Sequence, residues 1–232
     1  MSDFADRLAE VRAAVAAACH TAGRDVDSVT IVAASKTQSP AAIRAAYAAG
    51  QSHFGENYAS ELRDKREALA DLHDVVWHFI GRVQSSNAKV IARAALVHGV
   101  GSISQLQALA KASSSTSPLP VLLQVNLVDE ATKNGFSGAE LSALAPTLSA
   151  LPSLMVRGLM AMPAVDNERL AAAFAAVAVL CDEVAGAHGL DWPLLSIGMS
   201  ADFAEAIAAG ATHVRVGTRL FGARDVAPRG PT

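Results

Sequence analysis

Apolar and polar positions follow two different periods along this chain. From Asp3 to Ala22 the apolar residues recur at helical spacing, and Gly23 follows them, which predicts an amphipathic N-terminal helix. Beyond this helix, short β-rich runs alternate with helix-length segments. The runs predicted as strands are Val29–Ala34, His53–Phe54, Val75–Ile80, Leu96–Val100, Val121–Leu127, Leu154–Met160, Leu194–Ile197 and His213–Val216. The segments predicted as helices are Pro40–Ala49, Ala59–Ala70, Gln84–Ala94, Ser104–Ser113, Ala139–Ala150, Glu168–His188 and Asp202–Ala209.

This alternation indicates parallel strands joined by helical crossovers. A doubly wound open sheet would also alternate, but eight β/α units in about 220 residues favour a closed barrel. We therefore predict an α/β protein in which residues 1–232 form a single (β/α)8 TIM-type barrel domain with an extra N-terminal helix. The weakest predicted strand is His53–Phe54, because it has only two residues. Ser113–Pro120 is predicted as a surface loop, and residues 226–232 are expected to fray.

The composition narrows the functional classes. Of the 232 residues, 51% are hydrophobic and only 5% are aromatic, so a large aliphatic core is expected. A net charge of −3 without long runs of one sign does not support binding to nucleic acid or to a membrane surface. Cys19 and Cys181 are too few for a disulfide framework and fit buried thiols in a reducing compartment. Early acidic residues do not fit a signal peptide, and no stretch approaches the roughly twenty apolar residues of a membrane span, so a cytoplasmic protein is expected.

A lysine stands at the end of the first predicted strand. The run VTIVAASK ends in Lys36, and Pro40 opens the helix that follows. Because the C-terminal ends of the strands form the active face of a β/α barrel, Lys36 is expected at the mouth of the barrel. Partial desolvation there would expose the neutral amine that attacks an aldehyde. The alternative is an ordinary solvated lysine at a strand end.

Two turns after the last predicted strands are candidates for a phosphate site. LLSIGMS places Ser200 at or near the N-cap of the helix that begins at Asp202, and HVRVGTRLFG breaks at Gly217 and Thr218 into another helical start. The start of a helix presents unpaired N–H groups to an anion, and phosphate sites in β/α barrels often lie after strands seven and eight. The alternative for Gly217 is that it only ends the strand.

Arg215 lies two residues before Gly217, so strand alternation places both on the same side of the strand. An arginine that points into a barrel needs a partner. This partner is either an acidic residue such as Glu56 or the ring nitrogen of a bound cofactor.

Three further residues have both a functional and a structural interpretation. Asn57 could hydrogen-bond a ligand or cap the helix that follows it, and His78 could be a ligand-contacting residue or a core histidine. Met162 could pack against a planar ring, although methionine is also common in cores. We find no histidine, cysteine and carboxylate cluster with metal-ligand spacing.

Seven segments taken together resemble one family. They are AASKT, GQSHFGENYASEL, WHFIGRVQ, QVNLVDEATKNGF, GLMAMP, SIGMSADFAEAI and VRVGTRLFG, and they stand in the family's order over most of Ile31–Arg224. The chain is in this respect similar to the pyridoxal phosphate homeostasis proteins, whose fold is that of the barrel domain of alanine racemase. Two departures concern the rim of the site, because Arg82 stands where many members have histidine and Ser85-Ser86-Asn87 replaces a common serine-asparagine-lysine.

The resemblance implies a cofactor, pyridoxal 5'-phosphate (PLP), and a set of residues for it. The residues implied as cofactor-binding are Lys36, Asn57, Met162, Ser200, Arg215, Gly217 and Thr218. Of these, Lys36 would carry PLP as a Schiff base, Arg215 would face the pyridine nitrogen, and Ser200, Gly217 and Thr218 would bind the phosphate. The resemblance also implies that the protein buffers PLP or passes it to apo-enzymes, without established catalytic turnover. Lys89 and Lys133 are candidates for a transfer site at the rim.

The predicted arginine argues against an amino-acid reaction. PLP catalysis relies on a protonated pyridine nitrogen, whereas an arginine can only donate a hydrogen bond and keeps that nitrogen unprotonated. Alanine racemase tolerates such an arginine but also needs an acid-base group opposite the lysine. Tyr47 and Tyr58 fall in helical segments, and the chain ends soon after the eighth predicted strand. We therefore expect a monomeric, non-catalytic PLP-binding protein, and the alternatives are a racemase-type PLP enzyme and another Schiff-base barrel enzyme such as an aldolase.

Overall fold

The computed structural model describes residues 4–126, 134–162 and 166–222 and contains a closed parallel barrel. Its strands are β1 (Thr30–Ala34), β2 (His53–Glu56), β3 (Val76–Phe79), β4 (Leu96–Val100), β5 (Leu119–Gln124), β6 (Leu154–Met160), β7 (Leu194–Met199) and β8 (His213–Val216). Each strand pairs in parallel with the next, and β8 pairs with β1 to close the barrel. The predicted (β/α)8 barrel is therefore confirmed. The predicted fraying of 226–232 falls outside the described residues.

The described helices surround this barrel. They are α1 (Phe4–Thr21), α2 (Pro40–Ala48), α3 (Ala59–Ala68), α4 (Ala88–Ile91), α5 (Ile103–Ala112), α6 (Gly138–Ser142), α7 (Ala145–Ser149), α8 (Asn167–His188), α9 (Phe203–Ala208) and α10 (Thr218–Phe221). Short 3-10 turns lie at Val26–Ser28 and Ser85–Asn87. A helix follows each strand, so the C-terminal ends of all strands face one end of the barrel. We call this end the C-terminal rim.

The predicted N-terminal helix is present as an addition to the crossover helices. One face of α1 is buried, and it contacts α9 and α10 near the end of the described chain. Arg24, just after the helix, donates hydrogen bonds to the carbonyl oxygens of Ile207 and Ala211, both at 2.8 Å. These contacts join the first helix to the last β/α unit and cover the seam where the barrel closes.

Strand pairing extends three strands beyond their predicted bounds, namely β2, β5 and β7, the last of which continues to Met199, paired with Arg215 of β8. β2 continues from Phe54 to Glu56, since Gly55 and Glu56 pair with His78 and Phe79 of β3. β5 begins at Leu119, inside the segment predicted as a loop, because it pairs there with Leu154 of β6. The pairing residues lie in other parts of the chain, so the local sequence pattern could not indicate where these strands begin and end.

The segment predicted as one helix over Ala139–Ala150 is instead two short helices. α6 ends at Ser142, four residues before Pro146, and α7 begins at Ala145. Proline lacks the N–H that would bond back to Ser142, and its ring clashes with that carbonyl group, so one continuous helix is excluded. The predicted helix Gln84–Ala94 likewise narrows to a 3-10 turn and the single-turn α4.

Within the described residues, α8 is long and apolar enough to cross a membrane, judged by length and composition alone. The expectation that no such stretch exists was therefore wrong. In the folded chain α8 contacts β6, β7 and α9, as a crossover helix does. Its buried side chains recur at helical spacing, and alanines occupy much of its outer face. This alanine content, rather than a uniformly aliphatic surface, accounts for its apolar composition.

The buried apolar side chains form two separate groups. The main apolar core lies between the strands and the helices, and a small separate cluster contains Leu96, Leu122 and Met160, with Leu194 packed against it. Leu96 and Leu194 are two residues away from His98 and Ser196, so strand alternation gives them the same inward face. The inside of the barrel is therefore partly aliphatic and partly polar. The polar part lies next to the candidate site.

Candidate functional site

Lys36 and Gly217 lie at the same rim of the barrel. Lys36 is half-buried in the turn directly after β1, and Gly217 directly follows β8, the strand that pairs with β1. A Cβ atom placed on Gly217 would lie 3.5 Å from Ala34 Cβ, in ordinary van der Waals contact. The end of β8 therefore lies beside the end of β1, two residues before the lysine.

The turn that carries Lys36 has a left-handed residue at its next position. Thr37 has φ of 66° and is the one described non-glycine residue with a positive φ angle. This conformation is unfavourable for a β-branched side chain, so the surroundings must hold it in place. The N–H group of Thr37 donates to Glu61 Oε2 at 2.8 Å, which ties the turn to α3.

A buried ion-pair network lies beneath this turn. Lys65 Nζ donates to the Ser35 carbonyl oxygen at 2.8 Å, to Glu56 Oε1 at 2.9 Å and to Glu61 Oε2 at 2.6 Å. Ser35 Oγ also donates to Glu56 Oε1, at 2.6 Å. Burial raises the pKa of Glu56, and the second oxygen of this carboxyl, Oε2, has no partner among the described residues. The network fixes the position of the turn from below.

This network was not predicted from the sequence. Its visible signal was the spacing of Glu61 and Lys65, which places them one helical turn apart on α3. Burial alone would raise the pKa of Glu61, but the hydrogen bonds from Lys65 and Thr37 lower it. Glu61 is therefore an ionised acceptor that joins α3 to the lysine-bearing turn.

The two turns predicted as a phosphate site contact each other. The N–H group of Gly217 donates to Ser200 Oγ at 3.2 Å, which joins the turn after β7 to the turn after β8. Ser200 lies near the N-cap of α9, as predicted, although Asp202 occupies the N-cap position itself. Ser200 instead lies two residues earlier, at the rim.

The first turn of α10 presents donors at this point. The N–H groups of Leu220 and Phe221 bond back to the Gly217 carbonyl oxygen. Those of Thr218 and Arg219 have no such partner in the described part of the chain, as expected for the first positions of a helix. Unused N–H groups at a helix start favour an anion. Thr218 is exposed, so an anion can reach them.

Arg215 is buried and held by the strand next to it. Its Nη1 atom donates to the Ser196 carbonyl oxygen at 2.8 Å and to Ser196 Oγ at 2.6 Å, and Nη2 donates to the Ala161 carbonyl oxygen at 3.2 Å. Glu56, suggested as a partner, pairs with Lys65 instead, since it faces α3 and not the barrel interior. Burial lowers the pKa of Arg215 to about 10, so the guanidinium remains charged at neutral pH.

Histidines lie inside the barrel beside Arg215, and the sequence analysis identified only His78 among them. His53 Nδ1 lies 2.9 Å from His78 Nε2, His78 Nδ1 lies 2.9 Å from His98 Nε2, and His98 Nδ1 lies 2.8 Å from Ser196 Oγ. We call His53, His78, His98 and Ser196 the histidine column. His213 packs edge-on against the rings of His78 and His98. Strand alternation could have indicated these histidines in the sequence, since they share the inward face of their strands.

Burial favours the neutral form of these histidines. It lowers the pKa of His53, lowers those of His78 and His98 well below the ordinary value, and lowers that of His213 to about 4. Charge repulsion from neighbouring histidines and from Arg215 adds to the effect. In the described residues no group of three or more histidine, cysteine or carboxylate side chains could hold a metal ion. His78 is thus a hydrogen-bonded interior residue.

Asn57 and Met162 also lie at the C-terminal rim. Asn57 is half-buried after β2 and does not cap α3, because Tyr58 occupies the N-cap without a side-chain hydrogen bond. Met162 is 48% exposed after β6. A rim cavity of about 430 Å³ is lined by Asn57, Tyr58 and Arg82 among others. The structure thus brings all predicted site residues to one rim, although it shows no contact between Met162 and the others.

One glycine makes the rim near Asn57 possible. A Cβ atom on Gly81 would lie only 2.0 Å from the Asn57 carbonyl oxygen, so only glycine permits this approach of the two backbones. Of the lysines considered for a transfer site, Lys89 is exposed on α4, and Lys133 lies outside the described residues.

The fold and the rim together define a class. The molecule is a (β/α)8 barrel with a lysine amine and a candidate phosphate site at the same C-terminal rim. The family model for the N-terminal domain of alanine racemase matches residues 8–225. Alanine racemase from Corynebacterium glutamicum shares the fold, with a TM-score of 0.69 and 18% identity over 98% of this chain and 63% of that chain.

Closer relatives identify the family. The pyridoxal phosphate homeostasis protein of Pseudomonas aeruginosa is 46% identical over 229 residues, covering 97% of each chain. That of Escherichia coli K12 is 38% identical over 240 residues, covering 97% of this chain and 98% of that one. PipY of Synechococcus elongatus, solved with PLP bound, has a TM-score of 0.83 and 37% identity over 94% of this chain and all of that one. The chain belongs to the pyridoxal phosphate homeostasis protein family, within the alanine racemase N-terminal domain family.

Proposed function

We propose that this protein binds PLP at the C-terminal rim, linked to Lys36, and acts in intracellular PLP homeostasis by buffering the cofactor or delivering it to apo-enzymes. The observation that carries the proposal is the pairing of β1 with β8, because Lys36 follows the first of these strands and Gly217 the second at the same rim. One small molecule with an aldehyde and a phosphate can therefore reach both. PipY, the relative solved with PLP, supports this choice of ligand.

The residues present fit this cofactor. In the described part of the chain, no hydrogen bond or ion pair engages Lys36 Nζ, and the N–H groups of Thr218 and Arg219 are available to a phosphate. Lys36 would hold PLP through its amine, and the cofactor would supply the aldehyde for this Schiff-base linkage, whose formation releases one water molecule. Ser200 and Gly217 are already joined by a hydrogen bond, so the phosphate-binding turns need little rearrangement.

The other proposed contacts orient the ring. Arg215 donates to the pyridine nitrogen, and its hydrogen bonds to Ser196 and Ala161 fix the guanidinium before the cofactor arrives. Asn57 and Met162 would contact the ring from the rim. This preorganisation reduces the entropy lost on binding.

We infer that the bound cofactor does not turn over. Arg215 is a permanent donor, so it keeps the pyridine nitrogen unprotonated and weakens the electron sink that PLP enzymes use. Tyr47 lies near the end of α2, at the end of the barrel opposite the rim, and its hydroxyl is 3.5 Å from Asp74 Oδ2. The relatives' name, pyridoxal phosphate homeostasis protein, fits this inference.

A racemase-type PLP enzyme is the second candidate. Tyr58 favours it, because this tyrosine is 56% exposed and lines the rim cavity next to Asn57. Steady conversion of L-alanine to D-alanine by the PLP-loaded protein, lost in Tyr58→Phe, would establish this function in place of the first. We expect no turnover with either enantiomer.

The linkage is tested by reducing the PLP-treated protein with borohydride and mapping the modified lysine by mass spectrometry. We expect one pyridoxyl group, on Lys36, in the wild type and in Lys89→Ala, whose lysine is exposed on α4. Lys36→Ala should fold normally and carry none, because a lysine at a strand end contributes little to the core. A pyridoxyl group on another lysine, or its persistence in Lys36→Ala, would contradict the proposal.

The proposal extends to the setting of the protein. We infer a cytoplasmic monomer that binds neither nucleic acid nor membrane and meets apo-enzymes only transiently. The net charge of −3 and the absence of long runs of one charge support this. Light scattering should give the mass of one chain, and PLP-loaded protein should reactivate an apo-enzyme that depends on PLP. A stable dimer, or no reactivation, would contradict the respective inference.

A further inference from the structure

The histidine column runs from the N-terminal end of the barrel to Arg215 in its interior. Its upper member, Ser196, accepts a hydrogen bond from Arg215 Nη1 at 2.6 Å. Its lower member, His53, is the first residue of β2 and lines a cavity of about 580 Å³ at the opposite end of the barrel, together with Arg12, Asp27 and Gln51. His53 is half-buried, whereas the other members are fully buried. Protons can thus reach the column from this cavity.

One arrangement of protons satisfies the whole column. Arginine can only donate, so Ser196 Oγ accepts from Arg215 and its own proton must go to His98 Nδ1. A neutral His98 then carries its proton on Nε2 and donates to His78 Nδ1. His78 in turn donates from Nε2 to His53 Nδ1. Every hydrogen bond in the column points away from Arg215.

Protonation of His53 is incompatible with this arrangement. A proton on His53 Nδ1 would face the N–H group on His78 Nε2, so two donors would oppose each other. The conflict is removed if His78 and His98 each move their proton from Nε2 to Nδ1, with no change in proton number. His98 then donates to Ser196 Oγ, and the Ser196 hydroxyl proton loses its acceptor.

We propose that Ser196 and His98 position the Arg215 guanidinium, and that the column transmits protonation of His53 to this contact, so that mild acid weakens PLP retention. The inference rests on the proposed function, because Arg215 affects retention only where it faces the bound cofactor. Before the change, Ser196 Oγ accepts from Arg215 and donates its own proton to His98. After it, Ser196 Oγ accepts from both Arg215 and His98, and its own proton has no acceptor, which is costly in a buried site.

The charges around the column determine where a proton is taken up. The titratable groups that face it are Arg12 of α1, Asp27 of the Val26–Ser28 turn, His213 and Arg215 of β8, and Asp202 at the start of α9. Arg215 and His213 oppose a proton in the upper part. At the cavity end His53 is only half-buried, so desolvation opposes its protonation less than that of the fully buried rings. His53 is therefore the first ring of the column to be protonated as the pH falls.

The test compares the PLP dissociation constant of the full-length protein at about pH 7.5 and about pH 5.5. His53→Gln keeps an acceptor for His78 but cannot titrate, and His73→Gln changes an exposed histidine as the matched control. We expect equal affinities at the higher pH. On acidification, the wild type and His73→Gln should lose at least about fivefold more affinity than His53→Gln. In a Ser196→Ala background, His53→Gln should have no further effect.

If the PLP affinities of the wild type and His53→Gln depend equally on pH, the inference is overturned. PLP uptake at the higher pH would in that case leave the proposed function intact. Absence of PLP uptake by every form at both pH values would overturn both. A measurement on the wild type guards against a variant that does not fold: nitrogen NMR of the rings at about pH 7.5 should place the protons on Nε2 of His53, His78 and His98. A proton on His98 Nδ1 would also overturn it.

Discussion

His213 gives this protein a stability that depends on pH. Its ring is buried at the start of β8, and burial lowers its pKa from 6.5 to about 4. Above pH 6.5 the ring is neutral in both the folded and the unfolded chain. As the pH falls below this value, the unfolded chain binds a proton and the folded chain does not, so stability is lost until the folded pKa near 4 is reached.

The magnitude follows from the pKa difference. One pH unit corresponds to about 1.4 kcal/mol, so at about pH 5 the penalty from His213 is about 2 kcal/mol. The half-buried His53 and the buried His78 and His98 have lowered pKa values as well and act in the same direction. His213→Leu removes one titrating ring, so this variant should lose about 2 kcal/mol less than the wild type on the same acidification.

Urea unfolding of the apoprotein at about pH 7.5 and about pH 5 measures this difference. His73→Gln is the matched control, because His73 is exposed and its variant should follow the wild type. The reasoning is refuted if His213→Leu and the wild type lose the same stability on acidification. It is also refuted if His73→Gln behaves like His213→Leu.

Three further predictions concern the supports of the rim. Lys65→Met should destabilise the fold by about 3–5 kcal/mol in urea unfolding, because it leaves buried Glu56 unpaired; a change near zero would show that the network contributes little. Gly81→Ala should lower both the melting temperature and the PLP affinity, because its Cβ would lie 2.0 Å from the Asn57 carbonyl oxygen. The control, Gly186→Ala, should be neutral or stabilising, because a Cβ at this helical position meets nothing within 4 Å. Ser200→Ala combined with Thr218→Ala should weaken PLP retention in equilibrium dialysis while the Lys36 linkage persists, and unchanged retention would exclude a phosphate role for these two hydroxyl groups.

The barrel could be predicted from the sequence because each β/α unit has its own local pattern. The pattern was weakest where pairing with a neighbouring strand decides the strand boundary, at Gly55 and Glu56 of β2 and at Leu119 of β5. The helix predicted over Ala139–Ala150 ignored Pro146, whose effect on the carbonyl group of Ser142 is visible in the sequence.

The candidate site could be predicted only where its residues stand at strand ends. Lys36 and Gly217 do so, and strand order alone places them together. The partner of Arg215 could not be predicted, because Ser196 and Ala161 meet it only after β6, β7 and β8 have assembled. The histidine column likewise joins strands that are far apart in sequence, since His98 and Ser196 are 98 positions apart.

The central claim is that a lysine at the end of β1 and the turns after β7 and β8 hold one PLP molecule. A crystal structure of the protein with PLP tests it most directly. We expect the Lys36 nitrogen bonded to the cofactor, the phosphate within hydrogen-bonding distance of the Thr218 N–H group, and Arg215 at the pyridine nitrogen. PLP linked to a different lysine, or a phosphate bound away from Ser200 and Gly217, would contradict the account.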